Sequence, residues 1–290
     1  DYTDQVYKMQ KTFALSLTVN PEKQAAIEIE RLLKFPGFLK RDSFAKGRVE
    51  IVELRVDERS RLSNVALSEL NRVIKCRVLV CAVLRRGDVV APDGSFVLRE
   101  GDRIFVTAST ESLATLLDNL GIITKKVNHV MICGGGRVSY YLAQQLEKDG
   151  MTVRLIEKDP KHCEELAALL PKTEIINDDA SNTFVLKREN LESCDALVTA
   201  TGMDELNMII SLYGTKHGVS QVITKLGHME NGSMIDQLPI GSTIWPKDLC
   251  CNGIVRYIRA MHNQTGAAVS VHSIADGKAE AIEFHVEEKK

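Results

Sequence analysis

Val130-Met131-Ile132-Cys133-Gly134-Gly135-Gly136-Arg137-Val138-Ser139 passes from an apolar run through three glycines into the helix-forming segment Tyr140 to Leu146. A short apolar run followed by glycine and then helical spacing predicts a strand, a tight turn and a helix. The glycines fall in the pattern G-x-G-x-x-S, which differs from the dinucleotide fingerprint only in its last position. Gly134 permits the turn after the strand, Gly136 leaves room for a pyrophosphate against the main chain, and Ser139 puts a small side chain where helix and strand pack.

The chain on either side of this segment alternates strand and helix. Strands are expected at Val130 to Cys133, Val153 to Glu157, Glu174 to Asn177, Ala196 to Thr201 and Gln221 to Lys225. Helices are expected at Val138 to Lys148, Pro160 to Leu170, Glu205 to His217 and roughly Asn231 to Gln237. Such alternation implies an α/β fold, a Rossmann-type parallel sheet with helices on both faces, here at residues 125–246. Ligands of these sheets lie beyond the carboxyl ends of the strands. That rule selects Gly134, Gly135, Gly136, Arg137 and Val138 after the first strand, and Glu157 and Lys158 after the second. Asp178, Asp179 and Ala180 follow the third, and Thr201 and Gly202 the fourth. A carboxylate at Glu157 accepts ribose hydroxyls and repels a ribose phosphate, which favours NAD(H) over its phosphorylated form, although the neighbouring cation Lys158 softens the discrimination. Arg137, at the helix start, can join the first amides of the helix on a diphosphate. Asp204 and Glu205 read partly as carboxylates favoured by a helix start.

Ahead of this unit, residues 46–124 read as a small α+β subdomain. Val49, Ile51, Leu54 and Val56 lie in an extended run, Leu62 to Leu70 suggest a short helix, and Arg77 to Leu84 a further strand. The turns Arg86-Gly87-Asp88, Pro92-Asp93-Gly94 and Glu100-Gly101-Asp102 separate short strands that end at Thr107, before a closing helix from Ser109 to Leu120. Residues 1–45 hold one amphipathic helix opening at Asn20-Pro21-Glu22, and residues 247–290 a helix to about His262 with two extended segments. Asp1-Tyr2-Thr3-Asp4 reads like the interior of a longer protein.

The composition narrows the partners. The 39 acidic residues nearly balance the 37 basic ones, so no chain-wide cationic field recruits nucleic acid or an anionic membrane. The longest apolar runs fall far short of the roughly 20 residues that a membrane helix needs. Seven cysteines, Cys250 and Cys251 adjacent and none in C-x-x-C spacing, suit a reducing cytosol and no metal centre.

Three segments together resemble the TrkA-type regulatory subunits of potassium uptake, the RCK or KTN family. They are Gly134-Gly135-Gly136-Arg137 with Tyr140 to Leu146, then Asp178-Asp179-Ala180-Ser181, and Ala200-Thr201-Gly202-Met203-Asp204-Glu205-Leu206-Asn207. The resemblance extends to residues 46–122, whose Asp93-Gly94 and Glu100-Gly101-Asp102 are similar to the family's C-terminal subdomain. It implies that residues 1–45 are the tail and crossover helix of a truncated first Rossmann domain, and residues 247–290 the second crossover helix and the start of a truncated second C-terminal subdomain. Thr243-Ile244-Trp245-Pro246-Lys247 repeats the pattern of Thr18-Val19-Asn20-Pro21-Glu22, each just ahead of its helix. By this resemblance the chain is a cytoplasmic homo-oligomer and not an enzyme. It senses NAD(H), or ATP and ADP at the same site, and gates a membrane-embedded TrkH-like potassium-translocating subunit. Two alternatives remain open. An NAD-dependent oxidoreductase needs a substrate domain and a proton relay, and His162, His217, His228 and His262 show no such spacing. A ligand-free structural Rossmann module is the other, suggested by Ser139 and Asp178.

Overall fold

The computed structural model of the chain describes residues 17–34, 40–44, 49–57, 60–120, 126–227, 235, 238–262, 268–275 and 278–284. Its first helix, α1 (Pro21–Lys34), has proline at its first position and Asn20 as its cap, Oδ1 accepting the Lys23 N–H at 2.9 Å. A small antiparallel sheet follows, made of β1 (Lys40–Phe44), β2 (Val49–Arg55), β3 (Leu79–Arg85), β4 (Asp88–Val90) and β5 (Arg103–Ala108) in the order β1-β2-β5-β3-β4. Its helices are α2 (Leu70–Ile74), inserted before β3, and α3 (Thr110–Leu120) after β5. The helix expected from Leu62 begins later than the apolar spacing suggests. Residues 61–64 form a turn that ends with Asn64 at φ 63°, and Ala66 makes an isolated bridge to Val97, so helical backbone starts only at Leu67.

The period-two pattern of this sheet sorts its side chains onto two buried faces. Val52, Leu54, Val80, Val83, Ile104 and Val106 meet α2 and α3 on one of them. Ile51, Ala82, Leu84 and Phe105 meet Ile274 and Ala275 on the other. The second set is therefore covered by residues from the far end of the chain.

The larger unit comprises β6 (His129–Cys133), α4 (Arg137–Lys148), β7 (Thr152–Glu157), α5 (Pro160–Leu169), β8 (Glu174–Asn177), α6 (Thr183–Arg188), β9 (Ala196–Thr199), α7 (Asp204–Lys216), β10 (Gln221–Lys225) and β11 (Ser242–Ile244). All of its strand pairs are parallel, in the order β11-β10-β9-β6-β7-β8. This is the strand order of a doubly wound dinucleotide-binding sheet, and the expected Rossmann-type α/β class is observed. Its strands are continuous apolar runs because helices cover both faces. The helix expected at Asn231 to Gln237 lies outside the described residues except for Ile235, which is helical.

Past β11 run α8 (Pro246–His262) and the antiparallel pair β12 (Ala268–Ile274) and β13 (Ala279–Phe284). Lys278 Nζ of this pair donates to the Gly87 carbonyl of the small sheet. Helix α1 belongs to the core of the parallel-sheet unit. Ala25, Ala26, Ile29, Leu32 and Leu33 are buried in one cluster with Tyr141, Leu142 and Leu146 of α4, and Gln221 Nε2 donates to Leu32 O at 2.7 Å. Each large side chain buried there contributes roughly 1.5–3 kcal/mol as an upper estimate. That contact brings the amino end of α1 close to the carboxyl ends of the strands.

Candidate functional site

The first and fourth strands of this unit, β6 and β9, are neighbours, and the helices that follow them leave on opposite faces. A crevice opens at their carboxyl ends, the usual ligand position in such sheets. Gly134 makes the turn out of β6 at φ 98°, and a Cβ there would lie 2.8 Å from Thr201 Cα and 2.9 Å from Ala200 O. The two loops therefore touch main chain to main chain. A Cβ at Gly135 would strike Leu166 and the Glu157 carboxylate. Gly136 differs from both, with ordinary φ −64° and nothing closer to a built Cβ than Ala200 O at 4.0 Å.

Gly136 is also the cap residue of α4, and no side chain caps that helix. Asp159 caps α5 and Asn182 caps α6 with side-chain oxygens. In α4, Tyr140 N–H is bonded back to Gly136 O; the amides of Arg137, Val138 and Ser139 before it lie in the turn where a helix has no internal acceptors. Val138 and Ser139 turn their side chains into the core, so they offer a ligand only main chain. The set of amide donors together with Arg137 suits a diphosphate. The Arg137 side chain is 74% exposed and approaches Glu22 Oε1 at 3.9 Å.

Glu157 points toward the glycine loop. Its Oε2 accepts Gly135 N–H at 2.7 Å and its Oε1 accepts Asp159 N–H at 2.9 Å, which fixes the carboxylate at the crevice edge with lone pairs left for hydroxyl donors. Asn177 Nδ2 braces it from β8 by donating to Glu157 O and Lys158 O, each at 3.1 Å. Asp178 accepts from Asp179 N–H and from Arg188 at 2.9 Å, and these bonds hold its carboxyl below the usual range. Asp179 is lowered likewise by Ser181. Ala180 is buried, whereas Gly202 is exposed with open space about it.

Four contributors escaped the sequence reading. His162 Nε2 lies 2.9 Å from Gly135 O and its Nδ1 3.1 Å from Glu165. Asn207, fully buried, accepts from Thr201 N–H at 2.9 Å and Thr201 Oγ1 at 2.7 Å while donating to Lys225 O at 2.9 Å. Lys225 Nζ donates to Thr201 O at 2.8 Å, and burial lowers its pKa. Glu22 arrives from α1. The only available signals were the apolar run that ends in a lysine at the end of β10 and the asparagine inside the Asp204-to-Asn207 segment. Asp204 does more than favour its helix start, since both its carboxylate oxygens accept Gly227 N–H, at 2.9 and 2.8 Å.

The carbonyl of Gly135, followed by the Glu165 carboxylate, raises the pKa of His162. A raised folded-state value stabilises the fold below the ordinary histidine range, and this stability is lost as pH rises through the raised value. In urea unfolding, His162→Gln should cost more at pH 5.5 than at pH 8, by under about 1 kcal/mol because the pair is half exposed. An equal cost at both pH values would show that the charged form makes no net contact. Elsewhere Cys133 is inert, its thiol pushed up to about 12 by burial. A separate groove of about 240 Å³, lined by Ala180, Leu186, Ile209, Ile210 and Tyr213, opens between α6 and α7. Its apolar walls are unsuited to a diphosphate.

Residues 130–246 match the TrkA-N domain and residues 51–121 the TrkA-C domain. The Trk system potassium uptake protein TrkA of Haemophilus influenzae is 31% identical over 269 residues, covering 92% of this chain and 57% of that protein. A TrkA homolog of Archaeoglobus fulgidus is 28% identical over 277 residues, covering 95% and 62%. The chain thus spans about three-fifths of the length of these two relatives. Among solved structures, the GsuK RCK domain superposes with a TM-score of 0.62 at 15% identity, covering 88% of this chain and 55% of that one. The GsuK channel bound to NAD superposes at 0.55 and 16% identity, covering 82% and 43%. At these identities the structural likeness establishes the fold.

Proposed function

This chain belongs to the TrkA family, carrying a TrkA-C domain followed by a TrkA-N domain, and from that premise we propose that its parallel-sheet unit is a nucleotide sensor regulating potassium uptake. The observation that carries the reading is the start of α4, which has no side-chain cap and opens beside a carboxylate seated at the end of the next strand. The proposed contacts are Gly134, Gly135, Gly136, Arg137 and Val138 for the diphosphate, and Glu157 and Lys158 for the adenosine ribose. Asp178, Asp179 and Ala180 line the adenosine side, and Thr201 and Gly202 the far side. NAD(H) is the proposed ligand, with ATP or ADP competing for the same amides. Binding supplies a free-energy difference and no reaction. A ligand shifts a conformational equilibrium only by its unequal affinity for the two states, and about 2 kcal/mol of coupling changes their ratio about thirtyfold.

The proposed recipient is a membrane-embedded, TrkH-like potassium-translocating subunit at the cytoplasmic face. Among the described residues no helix is long and apolar enough to cross a membrane, and contact with the membrane through that partner is part of the proposal. Ile254, Val255, Ile258 and Met261 expose apolar surface on α8 and support self-association into a homo-oligomer.

Calorimetric titration with NADH, NAD, ADP and ATP tests the reading. Saturable binding of NADH that ATP displaces is expected. Absence of heat and of thermal shift with all four would instead favour a structural module, and hydride transfer from any of a panel of small alcohols or hydroxy acids would favour an oxidoreductase.

A further inference from the structure

Glu157 at the end of β7 and Lys225 at the end of β10 mark opposite flanks of the crevice, because β6 and β9 lie between their strands. A nucleotide with its adenosine ribose at Glu157 and its diphosphate on the α4 amides must carry its remaining part toward β9 and β10. Charged groups on that side include Arg137, Lys225, Asp204 and Glu22. Three belong to the sheet unit, whereas Glu22 is delivered by α1 from more than a hundred residues away in sequence.

Their commitments differ. Asp204 is held by the Gly227 amide, and Lys225 by the Thr201 carbonyl. The Lys225 ammonium is drawn by both Asp204 and Glu22. Glu22 approaches Arg137 only to 3.9 Å, with a side chain 35% exposed, so its carboxylate is the least firmly held of the four. These two cations and two carboxylates offset one another, and removal of one carboxylate would tip the balance among them toward phosphate.

Given a nucleotide in this crevice, we propose that Glu22 determines specificity by charge, favouring a cationic or neutral group in the far half and disfavouring a terminal phosphate. The candidate ligands differ in that property. Oxidised nicotinamide carries a fixed positive charge, reduced nicotinamide is neutral, and the third phosphate of ATP adds negative charge. Glu22 thereby links ligand choice to the docking of α1, since displacement of that helix removes the carboxylate.

The test is calorimetric titration of NAD, NADH and ATP into the unsubstituted chain, Glu22→Gln and Glu22→Asp, at low ionic strength without divalent cations. Glu22→Gln should tighten ATP about tenfold and weaken NAD several-fold, with NADH moving less than about twofold. Glu22→Asp should keep the parent order. Thermal melting checks that the substituted helix is still docked, with only a small downward shift of the midpoint expected from the lost carboxylate at the helix start. Equal changes for all three ligands, or none, overturn the proposal while leaving the nucleotide site intact. No binding by the unsubstituted chain overturns the site, and Glu22's role with it.

Discussion

Gly136→Val is expected to weaken NADH binding by about a hundredfold or more while the protein still melts within a few degrees of its parent. The main chain at Gly136 has a conformation open to any residue, and a Cβ there meets nothing closer than 4.0 Å. The folded chain itself therefore makes no demand for glycine. A valine replacing a glycine cap costs the helix about 1 kcal/mol or less. Its two methyl groups project over the α4 amides, and a diphosphate kept from those donors forfeits about 3 kcal/mol, a hundredfold. Gly134→Ala makes the opposite control. At φ 98°, with Thr201 Cα 2.8 Å from the new Cβ, it should unfold the loop and lower the melting temperature together with the affinity. NADH affinity unchanged in Gly136→Val would place the diphosphate somewhere other than this loop.

The contrast between the two glycines bears on how far the fold could be read in advance. The parallel sheet was legible because each of its central strands is an apolar run ending in a polar or glycine residue, a local property. The order of those strands, seen only in the structure, is that of the Rossmann-type architecture which such alternation selects. The short elements were not legible: α6 spans Thr183–Arg188 and β11 Ser242–Ile244, too little for a period to repeat. The helix expected from Leu62 starts late, at Leu67, for a local reason of another kind, since Asn64 adopts the left-handed conformation and turns the chain first.

Long-range packing accounts for the rest. Nothing in Ala25 to Leu33 says whether the apolar face of α1 meets its own sequence neighbours or α4, about a hundred residues away, and the structure places it on α4. Nothing in Val49 to Arg55 reveals that both faces of β2 are covered, one of them by residues of the β12–β13 pair. The candidate site divides in the same way. Its glycines and Glu157 stand at strand ends and were found by position alone, whereas Glu22 enters only through the docking of α1. Lys225 and Asn207 look like an ordinary strand end and an ordinary helix residue until the hydrogen bond between them, and those each makes to Thr201, are seen.

Asn207 should prove the costliest of these to replace, with Asn207→Leu destabilising the chain by about 3–5 kcal/mol in urea unfolding. The side chain is fully buried and has four hydrogen bonds, accepting from Thr201 N–H and Oγ1 and donating to Thr201 O and Lys225 O. Leucine keeps the branched skeleton in a larger, wholly apolar side chain and strands the Thr201 amide hydrogen and the Lys225 carbonyl, each unpaired group costing about 1–3 kcal/mol. The same bonds tie the end of β9 to the end of β10, so nucleotide affinity should fall even below the unfolding midpoint. Asn207→Asp separates the contributions. It keeps the two acceptor bonds to Thr201 and loses both donor bonds, so it should retain the β9 loop and release β10. A loss under about 1 kcal/mol for Asn207→Leu would mean that water reaches the freed groups and that the junction between the two strands is held by the sheet alone.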